Sequence, residues 1–105
     1  MQMSEINHNG RDGMFTINSG KGFSITFEND VTVSVQFGPA NYCQHYDRRI
    51  GQDDSQCGAE GSRNAECAVI KRDGEFVQHP SWDYDVEGYM TPAQVLAVMN
   101  WAASL

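Results

Sequence analysis

The sequence predicts an α+β fold, in which an antiparallel sheet of about five strands (two hairpins) is packed by one C-terminal amphipathic helix. Three observations predict this class. Apolar and polar residues alternate with a period of two over 23–37, and a second strand-like stretch covers 65–79. Residues 91–105 have the spacing of an amphipathic helix behind a helix-start signal. A chain of 105 residues is long enough for one hydrophobic core and too short for two.

The N-terminal end is predicted to be an appendage of the domain. We expect residues 1–13 to form a flexible arm and residues 14–105 to form a single α+β domain. The arm is polar and contains Gly10 and Gly13, which is typical of a loosely attached terminus. Phe15 and Ile17 then predict a short first strand, which ends at a turn over 18–22.

The clearest strand signal is a hairpin over 23–37. Asn29 and Asp30 separate its two alternating runs, and both residues tolerate the positive φ of a tight turn. The apolar face is formed by Phe23, Ile25, Phe27, Val31, Val33, Val35 and Phe37. We expect this face to pack on the core. The opposite face is shared by Ser24, Thr26, Ser34 and Gln36.

The second half of the chain repeats this pattern and ends in the helix. Residues 65–70 and 75–79, joined by a turn at 72–74, predict a second hairpin, and residues 86–90 predict a short final strand. Thr91 is the expected N-cap, with Pro92 at the first helical position and Gln94 three residues after the cap. An apolar stripe that should cover the sheet consists of Val95, Leu96, Val98, Met99, Ala102 and Leu105.

A long irregular segment over 38–64 is the predicted site region. Its only Ile, Leu or Val is Ile50, and a loop of this length in a small domain is usually functional or disordered. Forked donors for phosphate oxygens come from Arg48, Arg49 and Arg63. Faces for base stacking come from Phe37, Tyr42, Tyr46 and Trp82. Groups that can bond base or ribose edges are Asn41, Gln36 and Glu66.

This mixture favours a small anionic nucleotide-like ligand. The same side chains also fit a plainer alternative, in which the arginines are solvated loop charges and the aromatics are packing. The net charge of −7 is concentrated in residues 53–105, which hold nine acidic and three basic side chains. A long nucleic acid is therefore not an expected partner. The sequence has no signal-peptide pattern and no apolar run of roughly 20 residues, so we expect a cytoplasmic protein without membrane contact.

Catalytic and metal sites have weaker support. Cys43 and His45 are close enough in sequence for a thiol and its base, but this adjacency is weak support for a nucleophile. Cys57 and Cys67 could join them around a metal, although the spacings match no usual zinc pattern. We expect no cofactor, and we do not expect an enzyme.

Several runs of the sequence resemble small proteins encoded by bacteriophages. These runs are 20–23, 27–29, 32–38, 41–43, 65–70 and 88–92 with the helix that follows. The order of these runs along the chain and their amino-acid sequences are similar to those of the first-described Thoeris anti-defence family. That resemblance implies a sponge, which binds a cyclic ADP-ribose signal in the infected host cell and sequesters it without cleavage. It also implies a homo-oligomer.

A second function class stays open. An acidic inhibitor of the anti-CRISPR type would act by protein–protein binding through its surface charge rather than through a pocket. Its contact residues would be Asp53, Asp54, Glu60, Asp83, Asp85 and Glu87.

Overall fold

A five-stranded antiparallel sheet carries one helix, which confirms the predicted α+β class. The computed structural model describes residues 13–18, 21–38, 42–44, 49–50, 58–59 and 61–105, and the structural statements below concern these residues. The elements are β1 (Met14–Asn18), β2 (Gly22–Thr26), β3 (Thr32–Gln36), β4 (Arg49–Ile50), β5 (Gly58–Ala59), β6 (Ala65–Ile70), β7 (Val86–Met90) and α1 (Pro92–Ala103). The sheet order is β1-β2-β3-β6-β7. Residues 1–12 of the predicted arm lie outside the described residues.

The predicted hairpin over 23–37 is confirmed as β2 and β3. Its turn is one residue longer than the Asn-Asp pair suggests. The N–H of Phe27 donates to the Val31 carbonyl at 2.9 Å, and the N–H of Asp30 donates to the Phe27 carbonyl at 2.9 Å. Asp30 has a φ of 65° and closes the turn in the left-handed region. A three-residue loop of this kind suits a hairpin because its backbone matches the twist of the strands.

The predicted hairpin over 65–79 forms only in part. The turn at 72–74 is present, with the Gly74 N–H donating to the Lys71 carbonyl at 2.9 Å. The returning run is reduced to one bridge, between Ile70 and Phe76. Residues 86–90 instead supply the strand beside β6.

The chain leaves the sheet after this bridge because Trp82 enters the core. The Trp82 side chain is 5 % exposed. The Trp82 backbone N–H donates to the His79 carbonyl at 2.9 Å, and the Trp82 backbone carbonyl accepts from Gln78 Nε2 at 2.6 Å. This tight turn redirects residues 78–85 away from β6, so a continuous second hairpin does not form.

The core lies between the sheet and α1 and follows two rows of side chains across the strands. From β1 to β6, the rows are Phe15–Ile25–Val33–Val69 and Ile17–Phe23–Val35–Cys67. Val33 and Val69 are completely buried, whereas Phe15 is 74 % and Ile17 is 84 % exposed. Burial falls towards β1 because α1 packs over β3, β6 and β7.

The helix begins where the sequence predicts. The Gln94 N–H donates to Thr91 Oγ1 at 3.3 Å, and the Thr91 N–H donates to Gln94 Oε1 at 2.8 Å. The buried stripe is narrower than predicted, because one helix on a sheet buries only the side that faces the strands. Val95, Val98 and Ala102 are buried, while the predicted stripe residues Leu96 and Leu105 are exposed.

The far end of α1 is held by the turn of the first hairpin. Asn29 Nδ2 donates to the carbonyls of Ala102 at 3.0 Å and Leu105 at 3.1 Å. The Asn29 Oδ1 accepts from the Val31 N–H at 3.0 Å. One amide side chain therefore bonds both a carbonyl in the last turn of α1 and the carbonyl of Leu105 beyond it.

The described part of the predicted irregular segment between β3 and β6 contains a short strand pair that the sequence did not predict. β4 and β5 form a separate two-residue parallel pair. Several residues of the predicted site region lie outside the described residues: Asn41, His45, Tyr46, Arg48 and Cys57.

Candidate functional site

A largely apolar cavity of about 270 Å³ opens between the sheet and the first turns of α1. Phe23, Val35 and Phe37 line its sheet side. Its helix side comes from Pro92, Val95, Leu96 and Met99. Residues 62–65 close one end and contribute its polar groups. The cavity therefore has an apolar body and a polar lip, which is the usual design of a small-molecule site.

The antiparallel order of the strands explains why the cavity forms here. β2 and β6 begin at the end of the sheet where β3 and β7 end. Phe37 follows β3 at this end, and Met90 closes β7 immediately before the N-cap of α1. The helix therefore starts directly over the strand ends, and the side chains at this corner do not fill the space completely.

The polar lip is held in place by two short hydrogen bonds between Gln44 and residues 63–64. The Gln44 N–H donates to Asn64 Oδ1 at 2.6 Å, and the Arg63 N–H donates to Gln44 Oε1 at 2.7 Å. The Ser62 hydroxyl donates to the Asn64 carbonyl at 2.6 Å. The backbone around Arg63 is thus fixed by its neighbours, while the Arg63 side chain remains exposed.

Arg63 is the cationic group of the cavity. Among the residues that the structure describes, no acidic side chain forms an ion pair with it. Its guanidinium offers a planar set of donors that suits a phosphate or carboxylate. The described lining contains no histidine, cysteine or carboxylate. This lining therefore provides apolar, hydrogen-bonding and cationic groups that are suited to binding.

Tyr42 is held by a clamp beside the cavity lip. The Tyr42 N–H donates to Glu66 Oε2 at 2.8 Å, and the Tyr89 N–H donates to the Tyr42 carbonyl at 2.8 Å. Gly88 lets the backbones approach, because a Cβ at this position would lie 2.5 Å from the Tyr42 Cβ. Tyr89 has a φ of 53°, a left-handed conformation that costs free energy for a tyrosine. The clamp thus fixes the Tyr42 backbone and leaves its ring exposed.

The predicted site residues fall into three groups. Phe37 and Arg63 line the cavity together. Gln36 and Glu66 are opposite each other in the β3–β6 register, on the sheet face away from the core rows. There Glu66 binds the Tyr42 backbone, so its described role is structural.

The remaining predicted residues do not join the cavity lining. Trp82 belongs to the core and packs near His79, with ring centroids 5.6 Å apart. This placement is that of a packing residue rather than an open stacking platform. Asn41 and Arg48 lie outside the described residues, and for Arg49 only its place in β4 is described.

Sequence reasoning missed the helix and strand-end residues of the cavity. Met90, Leu96 and Met99 were expected only as strand or helix packing. The sequence did contain a signal for the cavity: Met90 ends a strand only two residues before Pro92 starts the helix. A strand end followed at once by a helix creates a corner where packing is often incomplete.

The two buried thiols are poorly suited to nucleophilic chemistry. Cys43 and Cys67 are both completely buried, and Cys43 Sγ lies 3.7 Å from the Gly38 carbonyl oxygen. Burial, with a smaller contribution from the Glu66 charge, raises the pKa of Cys67 from 9.0 to about 12. The Cys67 thiol is therefore protonated at neutral pH, and a protonated thiol is a weak nucleophile.

Across the described ranges, no three His, Cys, Asp or Glu side chains converge to hold a metal ion. In that part of the chain there is also no helix with the length and hydropathy needed to cross a bilayer.

Comparison of the chain with protein-family models, with curated proteins and with solved structures finds no match.

Proposed function

We propose that this protein binds a small anionic nucleotide-like ligand and sequesters it without cleaving it. The observation that carries the proposal is the apolar cavity with Arg63 at its polar lip and Phe37 in its wall. A heteroaromatic base gains free energy from contact with apolar and aromatic side chains. A phosphate attached to that base would then meet the guanidinium at the lip.

The volume of the cavity limits which part of the ligand can enter it. Sites for whole drug-sized ligands measure roughly 300–1,000 Å³. A cavity of about 270 Å³ lies just below this range, so it accommodates one ring system rather than a complete dinucleotide. The phosphates and the second sugar of a larger ligand would lie outside, against the exposed lip.

The charge distribution favours a small ligand. The chain has a formal charge of −7, and acidic residues dominate its second half. One exposed arginine attracts a compact anion at short range. Phosphates of a long polyanion would extend over acidic surface and be repelled, since charges interact over about 8–10 Å at ordinary salt.

The biological role in this proposal comes from the resemblance. A bacteriophage counter-defence protein would act in the cytoplasm of the infected host cell. Its ligand would be a cyclic ADP-ribose variant, it would need no cofactor, and it would act as a homo-oligomer. Sequestration rather than hydrolysis agrees with the described lining, which supplies no general base.

The decisive experiment combines binding with recovery of the ligand. The protein is titrated with a cyclic ADP-ribose by calorimetry, the complex is heat-denatured, and the supernatant is analysed by mass spectrometry. Saturable binding with intact ligand released only on heating is the expected result. Absence of binding to cyclic ADP-ribose and to related cyclic nucleotides would reject the sponge, and a cleaved product would identify an enzyme.

Two substitutions locate the site within this experiment. Arg63→Gln removes the cation at the lip and is expected to weaken binding about 10- to 100-fold, because a hydrogen bond to a charged group contributes about 1.5–3 kcal/mol. Arg72→Gln is the matched control. Arg72 is also exposed, it lies 3.7 Å from Asp30, and it follows the opposite end of β6.

The loop arginines need a separate test. A double substitution, Arg48→Ala with Arg49→Ala, measures the contribution predicted for them from the sequence. Weakened binding in this variant, with an unchanged Arg72→Gln control, would add these side chains to the site. Equal affinity for all the variants and the unsubstituted protein would place the ligand elsewhere.

The protein-binding alternative is favoured by a different surface. Tyr84 is 78 % exposed and lies between the exposed side chains of Asp83 and Asp85. An aromatic side chain with acidic neighbours fits a basic protein surface, because tyrosine anchors recur at interfaces. An inhibitor of this kind would lose partner binding on Tyr84→Ala and keep it on Arg63→Gln. The sponge predicts the reverse for its ligand.

A further inference from the structure

We propose that the part of the core face formed by β1 and β2 is the docking surface for a second copy of this chain. This inference names a surface that the proposed ligand site does not involve, apart from Phe23. The surface, called here the β1–β2 strip, consists of Phe15, Ile17, Phe23, Ile25 and Phe27.

The strip lies on the core side of the sheet. Phe15 pairs with Ile25, and Ile17 pairs with Phe23, across the β1–β2 ladder. Directly opposed residues point to the same face of an antiparallel sheet. Ile25 and Phe23 pack against the core cluster, so Phe15 and Ile17 also point to that side.

One helix is too narrow to cover this side. Strands lie about 4.8 Å apart, and a helix with its side chains is about 10–12 Å across. A single helix therefore covers two or three of five strands. α1 packs over β3, β6 and β7, and as a result Phe15 and Ile17 remain 74 % and 84 % exposed.

The composition of the strip is that of an interface. Residues 13–18 and 22–27 contain no charged side chain, although the chain carries a formal charge of −7. β1 is also a sheet edge. Natural proteins commonly protect such edges with lysine, proline or bulges, and β1 has none of these among its residues. An uncharged apolar strip beside an open edge is expected to be covered in use.

Charge favours a second copy as the occupant. Two identical acidic chains repel each other wherever their charged surfaces meet, so a contact between them requires an uncharged patch. The strip is such a patch. In a twofold arrangement each copy presents the same strip, and the contact is satisfied on both sides at once.

Layer geometry permits this arrangement. Packed sheets lie about 10 Å apart, which is close to the thickness of the layer that α1 occupies. The β1–β2 half of a partner therefore fits beside α1, in the same layer and over the same sheet. Residues 1–12, which precede β1, offer only Met1, Met3 and Ile6 as apolar side chains and match the strip poorly.

The exposed apolar area of the strip fits a weak dimer rather than a standard-size interface. A buried aromatic side chain removes about 150–250 Å² from water. Phe15 and Ile17 together then contribute on the order of 300 Å² per copy, and the half-buried members of the strip and the strand backbones add to this. Standard interfaces bury roughly 800 Å² per partner, so we expect a dimer that dissociates on dilution.

The test is sedimentation equilibrium of the full chain, from low micromolar to near-millimolar concentration. We expect reversible dimerisation of the unsubstituted protein. Ile17→Lys should weaken dimerisation at least tenfold, because a lysine replaces an apolar side chain at the centre of the contact. Phe76→Lys is the control, since Phe76 is also exposed but lies beside the far end of β6.

Circular dichroism of each variant confirms that the fold is retained. Because Ile17 is mostly solvent-exposed in one copy, Ile17→Lys should leave the spectrum unchanged. A protein that stays monomeric over the whole range would overturn the proposal. So would dimerisation that Ile17→Lys leaves unaltered, or that Phe76→Lys weakens equally. A monomer would also contradict the homo-oligomer of the proposed function, whereas calorimetry with the nucleotide tests the cavity separately, so the two failures can be told apart.

Discussion

The two halves of one sheet face differ in burial although their sequence patterns are the same. Val33 and Val69, in the half under α1, are completely buried, while Phe15 in the same row is mostly exposed. Alternation therefore predicts which side of a strand faces the core. It does not predict whether anything covers that side. The cover is decided by the number and width of the packing elements, and here there is one helix for five strands.

The largest expected effect on stability comes from truncating one apolar side chain in each half of the sheet face to alanine. Val33→Ala should lower the free energy of unfolding by about 2–3 kcal/mol, because it removes two buried methyl groups and leaves a cavity. Phe15→Ala should change it by no more than about 0.5 kcal/mol in dilute samples, because the ring is already in water. Urea denaturation followed by fluorescence measures both values.

Equal destabilisation by the two substitutions would contradict the difference in burial between the two halves of the sheet face. It would mean that β1 is covered within a single copy of the chain. Val35→Ala serves as a second probe of the covered half, because Val35 lies in the other row and is also buried.

The pH dependence of the free energy of unfolding tests the covered half at Cys67. This residue is the end of the second row that lies under α1. Burial raises the pKa of this thiol to about 12, so the folded state holds the proton more tightly than the unfolded state, in which the pKa is near 9.0. This contribution to stability is complete below pH 9 and is lost as the pH rises towards 12. The slope is about 1.4 kcal/mol per pH unit within that window.

Cys67→Ala separates the contribution of this thiol from those of the other groups that titrate at high pH. The difference in free energy of unfolding between the two proteins should change by about 1 kcal/mol between pH 9 and pH 10, because the unfolded thiol is already half ionised at pH 9. Denaturant titrations at each pH provide the measurement. A constant difference across the window would show that the thiol ionises without unfolding, and hence that this end of the row is open to water.

The smallest expected effect concerns the attachment of the helix that creates the covered half. Asn29→Ala removes donors to the last carbonyls of α1 and should cost about 1 kcal/mol. Asn29→Asp retains the acceptor for the Val31 N–H but places a negative charge at the helix C-terminus, where the dipole is also negative. We therefore expect Asn29→Asp to be at least as destabilising as Asn29→Ala, by thermal denaturation at neutral pH. An Asn29→Asp protein as stable as the original would show that the bond to the helix contributes nothing.

Local signals accounted for most of the scaffold. The alternation at 23–37 and the Thr91–Gln94 capping box each determine their element within a few residues, and both are confirmed. The second hairpin was predicted wrongly in its second strand, because the burial of Trp82 depends on contacts that are distant in sequence. The exposed position of Leu96 was missed for the same reason, since helical spacing does not reveal the width of the surface beneath.

The candidate site was harder to predict than the scaffold. Phe37 and Arg63 were identified from residue chemistry, and the structure brings them together at the cavity. Glu66 was predicted as a ligand contact, yet it bonds to the Tyr42 backbone. A carboxylate that holds a loop and one that binds a ligand have the same appearance in a sequence. The difference arises only when the fold supplies a nearby backbone N–H.

The connection between β3 and β6 has an evolutionary consequence. These strands are neighbours in the sheet, although residues 37–64 separate them in the chain. The entropy of closing such a connection grows so slowly that doubling its length costs only about 0.6 kcal/mol. Insertions and deletions there are therefore inexpensive compared with a single substitution at Val33. The segment that forms the cavity lip can therefore change in length and sequence while the sheet and helix remain the same.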